Sequence, residues 1–331
     1  MSMILNPTES DFCPCGGTKK WKKCHGAGFE QPPLQDDPNI DPVLLALAGN
    51  VLDLLKESIE SLIVDDNQME DAFRKRSLLY FANKIYRATL AGVTLIRTGQ
   101  TRQAFTLKRD QHYAWVAFFY YFANEPQSVL FFASGPLRQR DKAEEITGFN
   151  PEAANDPKRQ TQLAELKKLA DFMYEKFPGL KVPKGKSGTT AHPIMQDWKE
   201  PDEFTMMKAI VETWPEEMAK AGNPVPEENR EKWCRQQLLS AQFFHASFPS
   251  QDSHGTPMGL AGDLNSEDEE DTASTVTIGS QDPNSLLYIY LWYPIGVAEK
   301  LIELAGINGS KNRLVKIHKA LHTYQEYFDR Q

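Results

Sequence analysis

Four metal-ligating side chains crowd into residues 13–25: Cys13 and Cys15 stand two apart, and Cys24 and His25 follow side by side after an eight-residue gap. Two close pairs joined by a short turn supply the thiolate and imidazole donors that zinc takes in a tetrahedron. The backbone must reverse tightly between them. Pro14 fixes one φ angle there, and Gly16 and Gly17 allow the positive φ values that turn the chain back toward a metal. Four such donors leave no open coordination position, so a Zn2+ ion held by Cys13, Cys15, Cys24 and His25 is structural rather than water-activating.

The run Cys-Pro-Cys-Gly-Gly-Thr-Lys-Lys-Trp-Lys-Lys-Cys-His-Gly at residues 13–26 resembles the SEC-C metal-binding motif, best known from the C-terminal tail of the SecA translocation motor. The match extends through ligands, glycines, lysines and the aromatic. It departs at Gly17 and Thr18, where the family more often has Ser then Gly, both away from the ligands. The resemblance implies zinc binding and docking onto a protein partner or the ribosome, without catalysis. Lys19, Lys20, Lys22 and Lys23 around Trp21 make a compact cation-plus-aromatic surface suited to RNA phosphate, an acidic protein or a lipid head group. The alternative is that these lysines only keep a small module soluble.

The rest of the chain reads as a helical body. Over 331 residues, 40% are hydrophobic and 11% aromatic, ample for a packed core. A net charge of −8 argues against a surface that grips phosphate all over, so any RNA contact is local. The first ten residues lack the basic flank and apolar run of a secretory signal. The apolar stretches 114–123 and 286–298 are shorter than the roughly 18–20 residues of a membrane span, and read as buried core. Four cysteines with only Cys234 outside the cluster make no disulfide framework. A cytoplasmic setting is expected.

Three units follow: a zinc module at 1–26, a proline-bearing linker at 27–39, and a mainly α bundle at 40–331. Asp41 then Pro42 form an N-cap and first-turn pair, with Leu44, Leu47, Val51, Leu55, Ile59 and Leu62 at helical spacing behind them. A second pattern runs over 68–97 through Phe73, Leu79, Ile85, Leu90 and Leu95, and a third over 101–124, stopped by Glu125–Pro126. Further helices are predicted near 128–147, 157–177, 203–220, 227–247, 283–305 and 310–329. Residues 275–278 and 286–293 are rich in β-formers, but no alternation set is large enough for a sheet. Residues 181–192 read as a basic loop and 263–271 as an acidic one. Gly185-Lys186-Ser187 is no phosphate loop: Gly179 is one residue too far upstream and Pro183 removes an amide donor.

Two constellations in the body carry chemistry. Residues 105–126 with 238–247 resemble a little-characterised family of bacterial helical proteins of unknown function, with matches at Arg109, Ser240, His245 and Ser247. Tyr113 stands where that family usually has a Glu. Ser240 and His245 lie about 140° apart around a helix and are not a nucleophile–base pair by spacing. His245 reads as capping a helix end closed by Ser247 and Pro249, and the sharper alternative is a polar pocket of Arg109, Ser240 and His245. Arg313 and His318 fit the Arg-x(4–6)-His spacing of the HEPN ribonucleases, helical toxins and antiviral defence nucleases. That resemblance implies a dimeric, metal-free site in which the histidine shuttles a proton and the arginine steadies phosphate. Leu314 departs from the polar residue that commonly follows the arginine, and a basic-faced helix is the alternative. The reading favoured by the whole is a zinc-binding docking protein, with a ribonuclease as the alternative.

Overall fold

The computed structural model describes residues 37–149, 155–183, 195–220, 222–241 and 282–328, which are predominantly helical. The expected zinc ligands Cys13, Cys15, Cys24 and His25, the residues Lys19, Lys20, Trp21, Lys22 and Lys23, the pair His245 and Ser247, and the stretches 263–271 and 275–278 lie outside the described residues. In chain order come α1 (Pro42–Ser61), α2 (Met69–Arg97), α3 (Thr101–Ala123), α4 (Glu125–Ala133), α5 (Gly135–Phe149) and α6 (Pro157–Lys176). The strands β1 (Lys181–Pro183) and β2 (Met195–Asp197) follow. The chain continues with α7 (Glu203–Val211), α8 (Trp214–Lys220), α9 (Arg230–Ala241), α10 (Pro283–Ala305) and α11 (Asn308–Phe328).

Aspartate sets where several helices begin. Each of Asp41, Asp156 and Asp282 precedes a proline that needs no amide partner in the first turn, and each carboxylate accepts from backbone amides just beyond it. The bonds are 2.7 Å from Val43, 2.9 Å from Lys158, and 3.1 and 2.9 Å from Asn284 and Ser285. Asp202 caps α7 through the Thr205 amide at 2.7 Å. At the other end of α10, Gly306 adopts φ 67°, a left-handed turn that closes the helix without a Cβ penalty.

The third helix ends at Ala123 with Asn124 as its C-cap, as expected, and Pro126 sits in the first turn of a new helix, α4, where its missing amide is harmless. Other expectations are corrected. The single helix predicted near 128–147 is divided at Ser134, ahead of Pro136, and that near 203–220 is divided ahead of Pro215. The loop predicted at 181–192 starts as β1, which pairs antiparallel with β2 in the register Lys181↔Asp197, Val182↔Gln196, Pro183↔Met195. The β-forming run 286–293 lies inside α10, because burial on several sides overrides its strand propensity.

Helix α10 runs through the core, packing against α1, α2, α3 and α11, while α2 packs on α3 and α4. Its Leu286, Leu287, Tyr290, Leu291, Ile295 and Leu301 are buried. Gly92 on α2 admits Tyr290: a Cβ there would stand 2.6 Å from the tyrosine Cζ. The Tyr290 hydroxyl donates to the Ala104 carbonyl. The aromatic run of α3 is buried on several sides, with Tyr121 stacked on Phe81 at 5.5 Å between ring centroids.

Where the chain enters the body, several bonds converge. The Asp37 amide donates to the Arg97 carbonyl at 2.8 Å, and the Asp41 amide to Asn284 Oδ1 at 2.7 Å. Asn284 Nδ2 donates to the Asn39 carbonyl at 2.9 Å, and the Tyr324 hydroxyl to Asp41 Oδ2 at 3.1 Å. The starts of α1 and α10 and the end of α11 are thereby tied together. No described helix is long and apolar enough to cross a membrane.

Candidate functional site

A polar seam is buried between α3 and α10. Lys108, Gln111 and His112 are each at most 2% exposed on an otherwise apolar face. Their position follows from Pro294 in the middle of α10. Proline has no amide hydrogen, so the Tyr290 carbonyl one turn earlier lacks its helical donor. Gln111 Nε2 takes that place, donating to the Tyr290 carbonyl at 3.0 Å and to Thr89 Oγ1 at 2.7 Å. Lys108 Nζ donates to the neighbouring Ile289 carbonyl at 3.1 Å and to Gln111 Oε1 at 2.8 Å. It also lies 3.6 Å from the Tyr293 ring centroid. Burial holds the Lys108 amine well below the usual lysine range, since the charged form loses its hydration.

His112 continues the seam toward α7. Its Nδ1 is 2.9 Å from the Tyr293 hydroxyl, and its Nε2 is 3.6 Å from Glu203 Oε1. Burial raises the Glu203 carboxyl above the ordinary range, against the opposing charge of Arg109, and also raises the Tyr293 phenol. Tyr293, His112 and Glu203 thus form a line of titratable groups, hydrogen-bonded between Tyr293 and His112 and separated by more than a hydrogen bond between His112 and Glu203. Its outer end is Glu203, whose side chain is 24% exposed. Trp115 packs over the inner end, 5.1 Å from Tyr293 between ring centroids.

The structure brings one member of the expected Arg109–Ser240–His245 pocket to this seam. Arg109 is exposed on α3 close enough for its charge to act on Glu203. Ser240 belongs to α9, which packs on α7 rather than on α3, and His245 lies outside the described residues. Tyr113, which replaces the glutamate expected four residues after Arg109, donates to the Glu200 carboxylate at 2.7 Å. A carboxylate therefore reaches this face from the segment before α7. None of Lys108, Gln111 and His112 is among the residues that the sequence marks as carrying chemistry. Their signal was polar residues at i, i+3 and i+4 in an apolar helical stripe, with a mid-helix proline elsewhere whose carbonyl needed a donor.

Arg313 and His318 both lie on α11 and engage different neighbours. Arg313 Nη1 is 2.8 Å from both carboxylate oxygens of Glu57 on α1, and Nη2 is 3.3 Å from the Asn50 carbonyl. His318 turns to α10, with Nε2 4.0 Å from Glu299 and its ring 6.5 Å from Trp292. Within one chain the two side chains are not brought together. Elsewhere, a groove of about 600 Å³ separates α7 from α9, with Phe204, Val211, Cys234 and Leu238 among its walls. Cys234 is half-buried there, its Sγ 3.6 Å from the Val211 carbonyl. Among the described residues, no group of three or more His, Cys, Asp or Glu converges to hold a metal.

The fold and these interfaces define a helical-bundle protein with a polar seam in its core. Set against models of known families, against curated proteins and against solved structures, the chain matches none.

Proposed function

We propose that this chain is a zinc-binding docking protein. Cys13, Cys15, Cys24 and His25 hold one Zn2+ ion, and Lys19, Lys20, Trp21, Lys22 and Lys23 present a cationic, aromatic surface to a ribosome, RNA or protein partner. The observation that carries the reading is the donor set itself: three thiols and an imidazole in two close pairs, interleaved with four lysines. They fit zinc by chemistry and number, and the metal's part is to fold the module. What supports a docking role for the whole chain is the attachment point. Residues beyond Asp37 enter a body whose α1, α10 and α11 are tied together by Asp41 and Asn284, a fixed base for a binding head.

The test combines metal content with sedimentation. Purified full-length protein should carry about one zinc per chain and co-sediment with ribosomes. Replacing Lys19, Lys20, Lys22 and Lys23 by Glu should keep the zinc and abolish co-sedimentation, while Cys13→Ser with Cys24→Ser should lose both. A protein without zinc, or full co-sedimentation by the lysine variant, would sink the proposal. Loss of ribosome binding confined to RNase-treated particles would identify the contact as RNA.

A further inference from the structure

Helices α5 and α6 lie side by side at the edge of the body, joined by the Lys167–Glu144 ion pair at 3.1 Å. Between them runs an open groove of about 440 Å³. The α5 wall is built from Gln139, Lys142, Ala143 and Ile146, and the α6 wall from Arg159, Gln162, Leu163 and Leu166. Both sets recur at i, i+3, i+4 and i+7, so each helix turns one continuous stripe toward the same space. Two parallel stripes at that spacing are what a third helix packs against, its ridges entering the groove between them.

The chemistry of the walls selects the occupant. The floor is apolar, from Ala143, Ile146, Leu163 and Leu166, and Ile146 is 46% exposed. The charged walls are both cationic: Lys142 and Arg159 flank the groove, no carboxylate lines it, and neither has an ion-pair partner among the described residues. This local sign is opposite to that of a chain whose net charge is −8. Some other cations of the body are matched by carboxylates, among them Lys75 by Asp71, Arg76 by Asp66 and Lys220 by Glu217.

We propose that the α5/α6 groove binds an acidic amphipathic helix of a partner protein. Leu-type side chains of the ligand fill the floor, and its Asp or Glu residues pair with Lys142 and Arg159. The site goes beyond the docking role given to the zinc module and does not use it.

The experiment is a display selection against full-length protein. The library is an 18-residue helical peptide with Leu fixed at i, i+3 and i+7 and the flanking positions randomised. Enriched peptides should carry Asp and Glu at the flanks and bind with an affinity that falls at least tenfold for Lys142→Glu with Arg159→Glu. Ile146→Asp should weaken them similarly, while circular dichroism shows the helical content of each variant unchanged. The Cys13→Ser, Cys24→Ser protein should bind as wild type does, which separates this site from the zinc module. Peptides without acidic bias, peptides indifferent to the double charge reversal, or binding that needs the cysteines would each overturn the proposal.

Discussion

The α3/α10 seam and the α5/α6 groove use polar side chains in opposite ways. In the seam, Lys108 and Gln111 point inward and supply donors to the Ile289 and Tyr290 carbonyls around Pro294. In the groove, Lys142 and Arg159 stand at the rim of an apolar floor, and no carboxylate is among its lining residues. One region has closed its polar chemistry upon its own backbone. The other leaves it facing outward. The contrast teaches that a buried lysine and histidine in this body serve helix packing first, and that interaction chemistry is better sought where cations lack partners.

The largest effect should come from the centre of the seam. Gln111→Leu removes the donor to the Tyr290 carbonyl and the partner of Lys108 Nζ at once, and should cost about 3 kcal/mol in urea unfolding, since buried unsatisfied groups cost roughly 1–3 kcal/mol each. The comparison breaks if the variant is as stable as wild type. Gly92→Ala places a methyl against the Tyr290 ring; overpacking of about 1–3 kcal/mol exceeds the gain of up to roughly 1 kcal/mol from helix propensity, so the melting temperature should fall.

Smaller effects come from the rim of the seam. Glu203 has a raised folded-state pKa, so its contribution to stability is fully present below the unfolded carboxylate's value of about 4.3 and is lost as pH rises through the folded value. Glu203→Gln mimics the protonated form. It should therefore melt above wild type at pH 7, with the gap closing toward pH 4, and a gap independent of pH would show that the carboxyl is not desolvated by its neighbours. Least of all, Arg313→Ala should cost under about 1 kcal/mol, because its bidentate pair with Glu57 is partly exposed and screened. The ribonuclease expectation turns on the same helix: cleavage of total cellular RNA by wild type but not by His318→Ala would move the activity to a site shared between two chains.

Much of the helical framework was legible. The Asp-Pro pairs at 41–42, 156–157 and 282–283 mark real helix starts, because capping and proline placement are local effects. Leu44, Val51, Leu55 and Leu62 are buried as their spacing predicts. The face of α2 was less well read. Leu90 is 42% exposed, whereas Leu78, Phe81, Val93 and Ile96 are buried, since a 29-residue helix with a mixed surface allows more than one apolar stripe. The seam escaped for a different reason. Gln111 and Tyr290 are 179 residues apart, and nothing local announces that a carbonyl freed on one helix will meet an amide on another. The proposed zinc ligands are the opposite case: Cys13, Cys15, Cys24 and His25 are local in sequence, and they lie outside the described residues.

The bonds at Asp37, Asn39, Asp41, Asn284 and Tyr324 have a mechanical consequence. Tension applied through the residues ahead of Asp37 meets the Arg97 carbonyl first, and is then shared among the ends of α1, α10 and α11. Because these attachments load together, the body resists a pull applied ahead of Asp37 as a rivet does. Unwinding α1 one turn at a time would first require the rivet to fail.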